Sequence, residues 1–435
     1  MRSGTTVPPG VERSFWKSFG PGLLWAAAAI GVSHLVQATR AGAMAGLSLW
    51  GVILLALCLK YPFFEYGPRY AVATGESLVE GYRRIGRWAV WVFVAVAAAV
   101  AVVVHIAVLL FTAFLVNFIL GTSWPLAGVA AGVLAACIGL LAIGRFRLLD
   151  LSIKIILALL GLSTMVAAAA VWRRVDLSTL PPWPLGETGA VNFPFLLALV
   201  GWMPSGFNLS VWSSLWTLAK DRQAGRRATM RDALLDFRLG YVGSALLAGA
   251  FVILGAGVMH GSGASLSSQG TAFSVQLVQM YVGVLGGWAR PVVLVAIVTT
   301  MLSTALTIVD GFPRALARSL HVLTGGVPAR GDERPAGSGP ESCGEKAYWW
   351  IMIGIGAAAV TGIALFIGSF TTMIDVATTV SFLAAPLLGY LNLRAVRLPH
   401  VPEPHRPGRF LVGLSIAGLL LLTATAVAFI VARLL

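Results

Sequence analysis

Side chains able to handle protons or ions are few in this chain, so those inside apolar runs stand out. They are His34 in GVSHLVQAT, Lys60 in ALCLKYPFF, Glu65 and Arg69, His105 in VVVHIAVLL, Lys154, and Asp310 at the end of TTMLSTALTIVDG. Burying such groups costs free energy, and within membrane spans they mark ion and substrate pathways. An imidazole changes charge within the physiological pH range, which suits His34 and His105 to proton transfer. For each, the alternative is a neutral ring bonded to a carbonyl. Glu65 and Arg69 stand four apart on one helical face, as an ion pair or gate at a span end, or as a plain interfacial pair. Lys60 and Lys154 read as snorkelling or paired. Thr300, Ser303, Thr304 and Thr307 lead to Asp310 at helical spacing; such a stripe lines a water path or packs helices together. Trp202, Trp212 and Trp216 surround the dipeptide Met203-Pro204, and Trp202 is the one expected to face a solute through its ring. Asp375 reads as a helix cap.

Catalytic chemistry is not indicated. The chain has no Gly-rich phosphate loop with its Lys, no His-Glu-x-x-His spacing, and no Ser or Cys with an evident base, so an enzyme is not expected and no cofactor is called for. Cys58, Cys137 and Cys343 form neither a disulfide framework nor a metal cluster.

The elements that position these residues are membrane helices. Of 435 residues, 58% are hydrophobic and 11% charged, with a mean hydropathy of +0.86, whereas soluble domains carry about 25% charged residues. About 20 apolar residues are needed to cross the hydrocarbon core. Eleven such runs are predicted, at 20–43, 47–68, 88–118, 125–143, 149–171, 191–217, 237–259, 287–310, 347–367, 371–392 and 409–432. Of the 31 Lys and Arg residues, 24 then fall on the N-terminal side and 5 on the other. The positive-inside rule therefore predicts an inner (plasma) membrane protein with a cytoplasmic N-terminus and an extracytoplasmic C-terminus. The same bias accounts for the net charge of +14 without a nucleic-acid partner. The partners implied are the lipid bilayer and a small transported substrate.

Two spans are interrupted in corresponding positions. Gly31 and Ser33 break the first; Pro204 removes a donor from the sixth and Gly206 relaxes it. Unwound main chain at membrane depth is tolerated where protein or a water-filled cavity satisfies it, so paired breaks point to a midplane site between two inverted halves. The expected division is a cytoplasmic tail at 1–18, a first five-helix repeat at 19–172, and an extracytoplasmic loop at 173–190. A second repeat follows at 191–393, with a flexible loop at 325–346, and then a cytoplasmic loop and eleventh helix at 394–435.

The strings FGPGLLWAAAAIG (19–31), ATRAGAMAGLSLW (38–50), RYAVATGESLVEGYRR (69–84) and MPSGFNLS (203–210) resemble the Nramp family of proton-coupled divalent-metal transporters. The resemblance implies an all-α, LeuT-like 5+5 inverted repeat with spans 1 and 6 unwound around the substrate. It also exposes departures. The family's Asp-Pro-Gly-Asn motif falls on Gly31, Val32, Ser33 and His34, its Met-Pro-His on Met203, Pro204 and Ser205, and its second His on Ser210. The span 10 glutamine falls on Ala384. In span 3, where relatives carry an Asp and a Glu on a proton route, this chain has His105 and Val108.

The substrate residues so implied are Gly31, Ser33, His34, Val200, Trp202, Met203, Ser205 and Ala384, with Met203 and His34 as metal donors. His105, Glu65, Arg69 and Asp310 are assigned to a proton pathway or gate. Hard and borderline dications favour oxygen ligands, and a charged site offsets their dehydration; here the carboxylate is missing. The expected function is secondary-active transport of a divalent metal cation through an altered site. A small organic or uncharged solute on the same scaffold, or a non-transporting membrane sensor, are the alternatives. If protons are coupled, His105 or His34 carries them. Replacing each with Gln should then flatten the pH dependence of uptake between about pH 5 and 8; unchanged dependence in both variants eliminates that role.

Overall fold

In the computed structural model, all eleven expected spans are helical. The structure describes residues 20–143, 146–179, 193–263, 265–325, 345–365 and 369–434. The tail at 1–18, most of the expected loops at 173–190 and 325–346, Cys343 and the side chain of Lys154 lie outside them.

Span 1 starts as α1 (Pro21–Ala29), whose Pro at the first turn sacrifices no intrahelical bond. It loses its register at Ile30 and resumes as a wide π turn, Ser33–Ala38, running into α2 (Thr39–Ala45). The two halves meet at 46°. Span 2 is α3 (Trp50–Thr74), and span 3 is α5 (Arg87–Leu120), 34 residues long. Between them lies α4 (Leu78–Ile85), opened by a capping box of Ser77 and Glu80. Spans 4 and 5 are α6 (Leu126–Ala142) and α7 (Phe146–Val171). Span 6 is split into α8 (Phe193–Trp202) and α9 (Asn208–Ala224), and span 7 is α10 (Met230–Met259). The remaining spans are α12 (Ala289–Gly325), α13 (Glu345–Leu365), α14 (Phe370–Val396) and α15 (Arg409–Leu434), with α11 (Gly270–Leu285) between spans 7 and 8.

Two expectations need correction. Span 8 does not stop at 310; α12 runs on through Pro313 to Gly325. The charges that suggested a membrane boundary, Asp310 and Arg314, pair with each other one turn apart on the same helix, at 2.6 Å. The segments between spans 2 and 3 and between spans 7 and 8, outside the predicted spans, are the helices α4 and α11, with buried faces that include Leu78 and Tyr82 in the first and Phe273 and Tyr281 in the second. Among the described residues, six helices are individually long and apolar enough to cross a bilayer, and bent span 1 makes a seventh. Span 4, with 17 residues, reaches about 25 Å. Span 2 is diluted by Lys60, Glu65 and Arg69, all of which find partners inside the protein.

Spans 1 and 7 touch main chain to main chain. A Cβ on Gly22 would lie 2.1 Å from the Asp236 carbonyl oxygen, and one on Gly240 would lie 2.2 Å from that of Gly22. Further along, a Cβ on Gly42 would meet the Val252 carbonyl at 2.0 Å, and one on Gly255 that of Thr39 at 2.3 Å. Small residues permit this approach, which is how membrane helices gain packing without a hydrophobic drive. Both halves of span 1 are therefore held flush on span 7. Gly42→Ala or Gly255→Ala should cost about 1–3 kcal/mol through overpacking and lower the unfolding temperature in detergent by about 2 °C or more. Gly128→Ala, which meets no atom within 4 Å, should leave it unchanged or raised.

Candidate functional site between the two broken spans

Each break leaves carbonyls without helical partners, and each is served from a neighbouring span. In span 1, the Ser33 hydroxyl donates back to Ala29 at 2.7 Å. Thr304 Oγ1 of α12 lies 3.4 Å from the Ala27 carbonyl, 3.3 Å from that of Ile30 and 3.0 Å from that of Thr300, so its one proton serves one of them at a time. Gly31 makes this contact possible, because a Cβ there would sit 2.7 Å from Thr304 Oγ1. In span 6, Pro204 ends the helical register, and the freed carbonyls of Val200, Gly201 and Ser205 accept from the Lys60 ammonium of span 2 at 3.0, 3.1 and 2.8 Å.

Between the breaks lies a cavity of about 50 Å³, room for a few waters or one partly hydrated ion. Span 1 contributes Gly31 and Ser33, and span 6 contributes Trp202 and Ser205. Val104 and Val108 of span 3 and Phe312 of span 8 form an apolar wall. The lining is completed by Ser381 of span 10, which accepts from Trp202 Nε1 at 2.8 Å, and by Asn208 and Trp212 at the start of α9, the Trp212 ring packing 4.6 Å from that of Phe312. Two polar atoms of this lining are buried with no partner in the protein: the acceptor Asn208 Oδ1 and the donor Trp212 Nε1. No carboxylate lines the cavity, and among the described residues no three His, Cys, Asp or Glu side chains are grouped to hold a metal.

Of the expected substrate residues, the structure brings Gly31, Ser33, Trp202 and Ser205 together and leaves His34, Val200, Met203 and Ala384 outside the lining. His34 points to span 7, where Nε2 lies 3.0 Å from the Ser244 carbonyl while Nδ1 sits 2.7 Å from the Ser33 hydroxyl. With Nε2 donating to the Ser244 carbonyl, Nδ1 competes with the Ala29 carbonyl for the single proton of Ser33. Met203 is fully buried, and the Val200 carbonyl is taken by Lys60. Ala384 lies one turn beyond Ser381, which occupies the cavity wall instead. His105 donates from Nδ1 to the Ala101 carbonyl at 2.7 Å and packs 5.7 Å from the Phe312 ring, behind the wall. Lys60, Asn208 and Ser381 were not singled out from sequence as site residues. A Lys in the middle of an apolar span was the available signal for the first.

The remaining ionisable groups close the two ends of the bundle. At the end where span 1 begins, Asp236 of span 7 accepts from the Gly22 amide at 2.7 Å, capping α1. Glu65 accepts from Arg69 at 2.6 Å and from Tyr61, and lies 3.6 Å from Arg238 of span 7. Asp310 accepts from Arg314, from Tyr348 of span 9 at 2.8 Å and from Trp216 of span 6 at 3.3 Å. Glu80 and Arg318 tie α4 to α12. At the opposite end, Arg40 of span 1 grips Asp375 of span 10 through two bonds, 2.7 and 3.1 Å, supported by Gln37. Asp375 is thus an interspan partner, not a helix cap.

Two five-span halves, each opening with a broken helix and meeting around a central cavity, define a multi-pass membrane transporter of the LeuT type. The Nramp model (natural resistance-associated macrophage protein-like) matches residues 22–432. The chain belongs to the Nramp family. It is 32% identical to an uncharacterized protein of Pasteurella multocida (strain Pm70), over 98% of this chain and 95% of that one. Among solved structures it is similar to the Eremococcus coleocola manganese transporter in complex with an aromatic bis-isothiourea substituted compound, with a TM-score of 0.69 and 13% identity over 97% and 87% of the two chains. MhsT in complex with L-phenylalanine shares the fold at a TM-score of 0.57 and 15% identity, over 97% of this chain and all of that one.

The hydroxyl of Thr304 is expected to hold the span 1 break. Thr304→Val removes it at constant shape and should cost about 1–3 kcal/mol through an unsatisfied buried carbonyl. Thr307→Val, whose hydroxyl bonds only within its own helix, should cost less. Thermal unfolding of the two variants side by side measures the difference.

Proposed function

We propose that the chain is a secondary-active transporter working by alternating access, and that its cargo is a divalent metal cation bound in the cavity between the breaks of spans 1 and 6. Family membership supports a cation, and the Eremococcus coleocola relative that shares the fold is a manganese transporter. The observation that carries the reading is Asn208 Oδ1, a buried oxygen acceptor without a protein partner, on a residue that lines the cavity together with Ser33 and Ser205. Neutral oxygens suit a dication that keeps part of its water shell, and the missing carboxylate predicts weak binding. The excess of Lys and Arg on the N-terminal side supports a plasma-membrane protein with that terminus in the cytoplasm.

Trp212 Nε1 favours a second reading, a small uncharged solute. An indole N–H can only donate, so it offers a cation nothing, and it lies unpartnered in the same wall.

Titration calorimetry of the purified protein with Mn²⁺, Cd²⁺, Mg²⁺ and Ca²⁺, followed by uptake into proteoliposomes, separates the two. Saturable Mn²⁺ or Cd²⁺ binding that weakens about threefold or more in Asn208→Ala is the expected result. Absence of both binding and uptake for every dication retires the metal cargo and leaves the uncharged solute.

A further inference from the structure

Lys60 stands ten residues into α3 and is 1% exposed, so its side chain is enclosed by protein. Its ammonium meets three main-chain carbonyls of span 6 within 3.1 Å. The rings of Phe64 and Phe207 complete the shell, with centroids 5.9 and 5.3 Å from Nζ. No carboxylate pairs with it among the described residues. Converging carbonyl oxygens at the negative end of a half-helix, backed by aromatic faces, are the surroundings a cation seeks. Here a side chain of the protein supplies the cation.

We propose that Lys60 is a tethered cation: its ammonium fills the cation position that the broken span 6 creates, and a dication entering the adjoining cavity has to contend with its charge. Ser205 connects the two places, since it lines the cavity while its carbonyl holds Nζ at 2.8 Å. Lys60 is on this account a specificity-determining residue that lowers affinity for dications. A neutral side chain at position 60 frees the three carbonyls and removes the repulsion together. The inference rests on the reading that cargo binds between the breaks.

The test is calorimetric titration of the full chain with Mn²⁺ and Cd²⁺, comparing wild type, Lys60→Met and Lys60→Arg, beside thermal unfolding with and without each ion. Lys60→Met should bind the ions at least tenfold more tightly than wild type and be stabilised by them, while Lys60→Arg keeps the wild-type affinity. A purely structural lysine would not give that gain. Folded Lys60→Met with unchanged, weaker or no dication binding overturns the proposal, and Lys60→Gln is judged by the same criterion if the Met variant does not fold. Proteoliposome uptake separates this outcome from that of the cargo reading. Tighter binding in Lys60→Met without dication uptake by either protein retires the metal cargo and keeps the tethered cation; wild-type uptake without the gain does the reverse.

Discussion

A main-chain carbonyl freed at membrane depth has no water to fall back on, and most of the arrangement around the cavity follows from where such carbonyls find donors. Each unsatisfied group in that environment costs several kcal/mol, so a broken helix persists only if its neighbours carry the right side chains. Span 1 is served by hydroxyls, its own Ser33 and Thr304 of span 8. Span 6, which loses more of its helical register at Pro204, is served by an ammonium. The difference in donors makes the two breaks chemically unlike although they correspond in the two halves.

That difference bears on the proposed transport cycle. Span 1 is fixed to span 7 along both of its halves by reciprocal glycine contacts, so the two are suited to move as one body. The end where span 1 begins is closed by carboxylates each gripped by several donors, whereas the described ion pair at the opposite end is Arg40 with Asp375. Asp375 is 29% exposed, whereas Glu65, Asp310 and Glu80 are 1–3% exposed, so its bridge, although bidentate, is the one of these most open to water and salt. In the proposed cycle, the state seen here opens first where the closure is lighter, between span 1 and span 10.

The sequence revealed the scaffold well and the site in part, for a physical reason. Hydrophobic length and charge asymmetry are averages over many residues, so eleven spans could be read, and the paired breaks were visible because Gly and Pro act locally on the backbone. The end of span 8 falls beyond its expected place because Asp310 and Arg314 read as a charged boundary, whereas their spacing of four, the same as that of Glu65 and Arg69, lets them neutralise each other within the helix. The site depended on direction. His34 and Ser33 are adjacent in sequence, yet one faces span 7 and the other the cavity. Lys60 was legible as an anomaly, a cation in mid-span, but its partners lie some 140 residues away on the chain. Thr304 was found as part of a stripe, and Ser381 replaced the expected Ala384 by a single helical turn.

The central claim is that the cavity between the breaks lies on a transport route reached from both sides of the membrane. In a cysteine-free background, single cysteines at Ser205 and Ser381 can be labelled with a membrane-impermeant thiol reagent applied to right-side-out and inside-out vesicles. The account predicts labelling from each side, with a ratio that shifts when the Arg40–Asp375 bridge is removed by Asp375→Asn. Labelling from one side only, or from neither, with the ratio indifferent to that bridge, would contradict it.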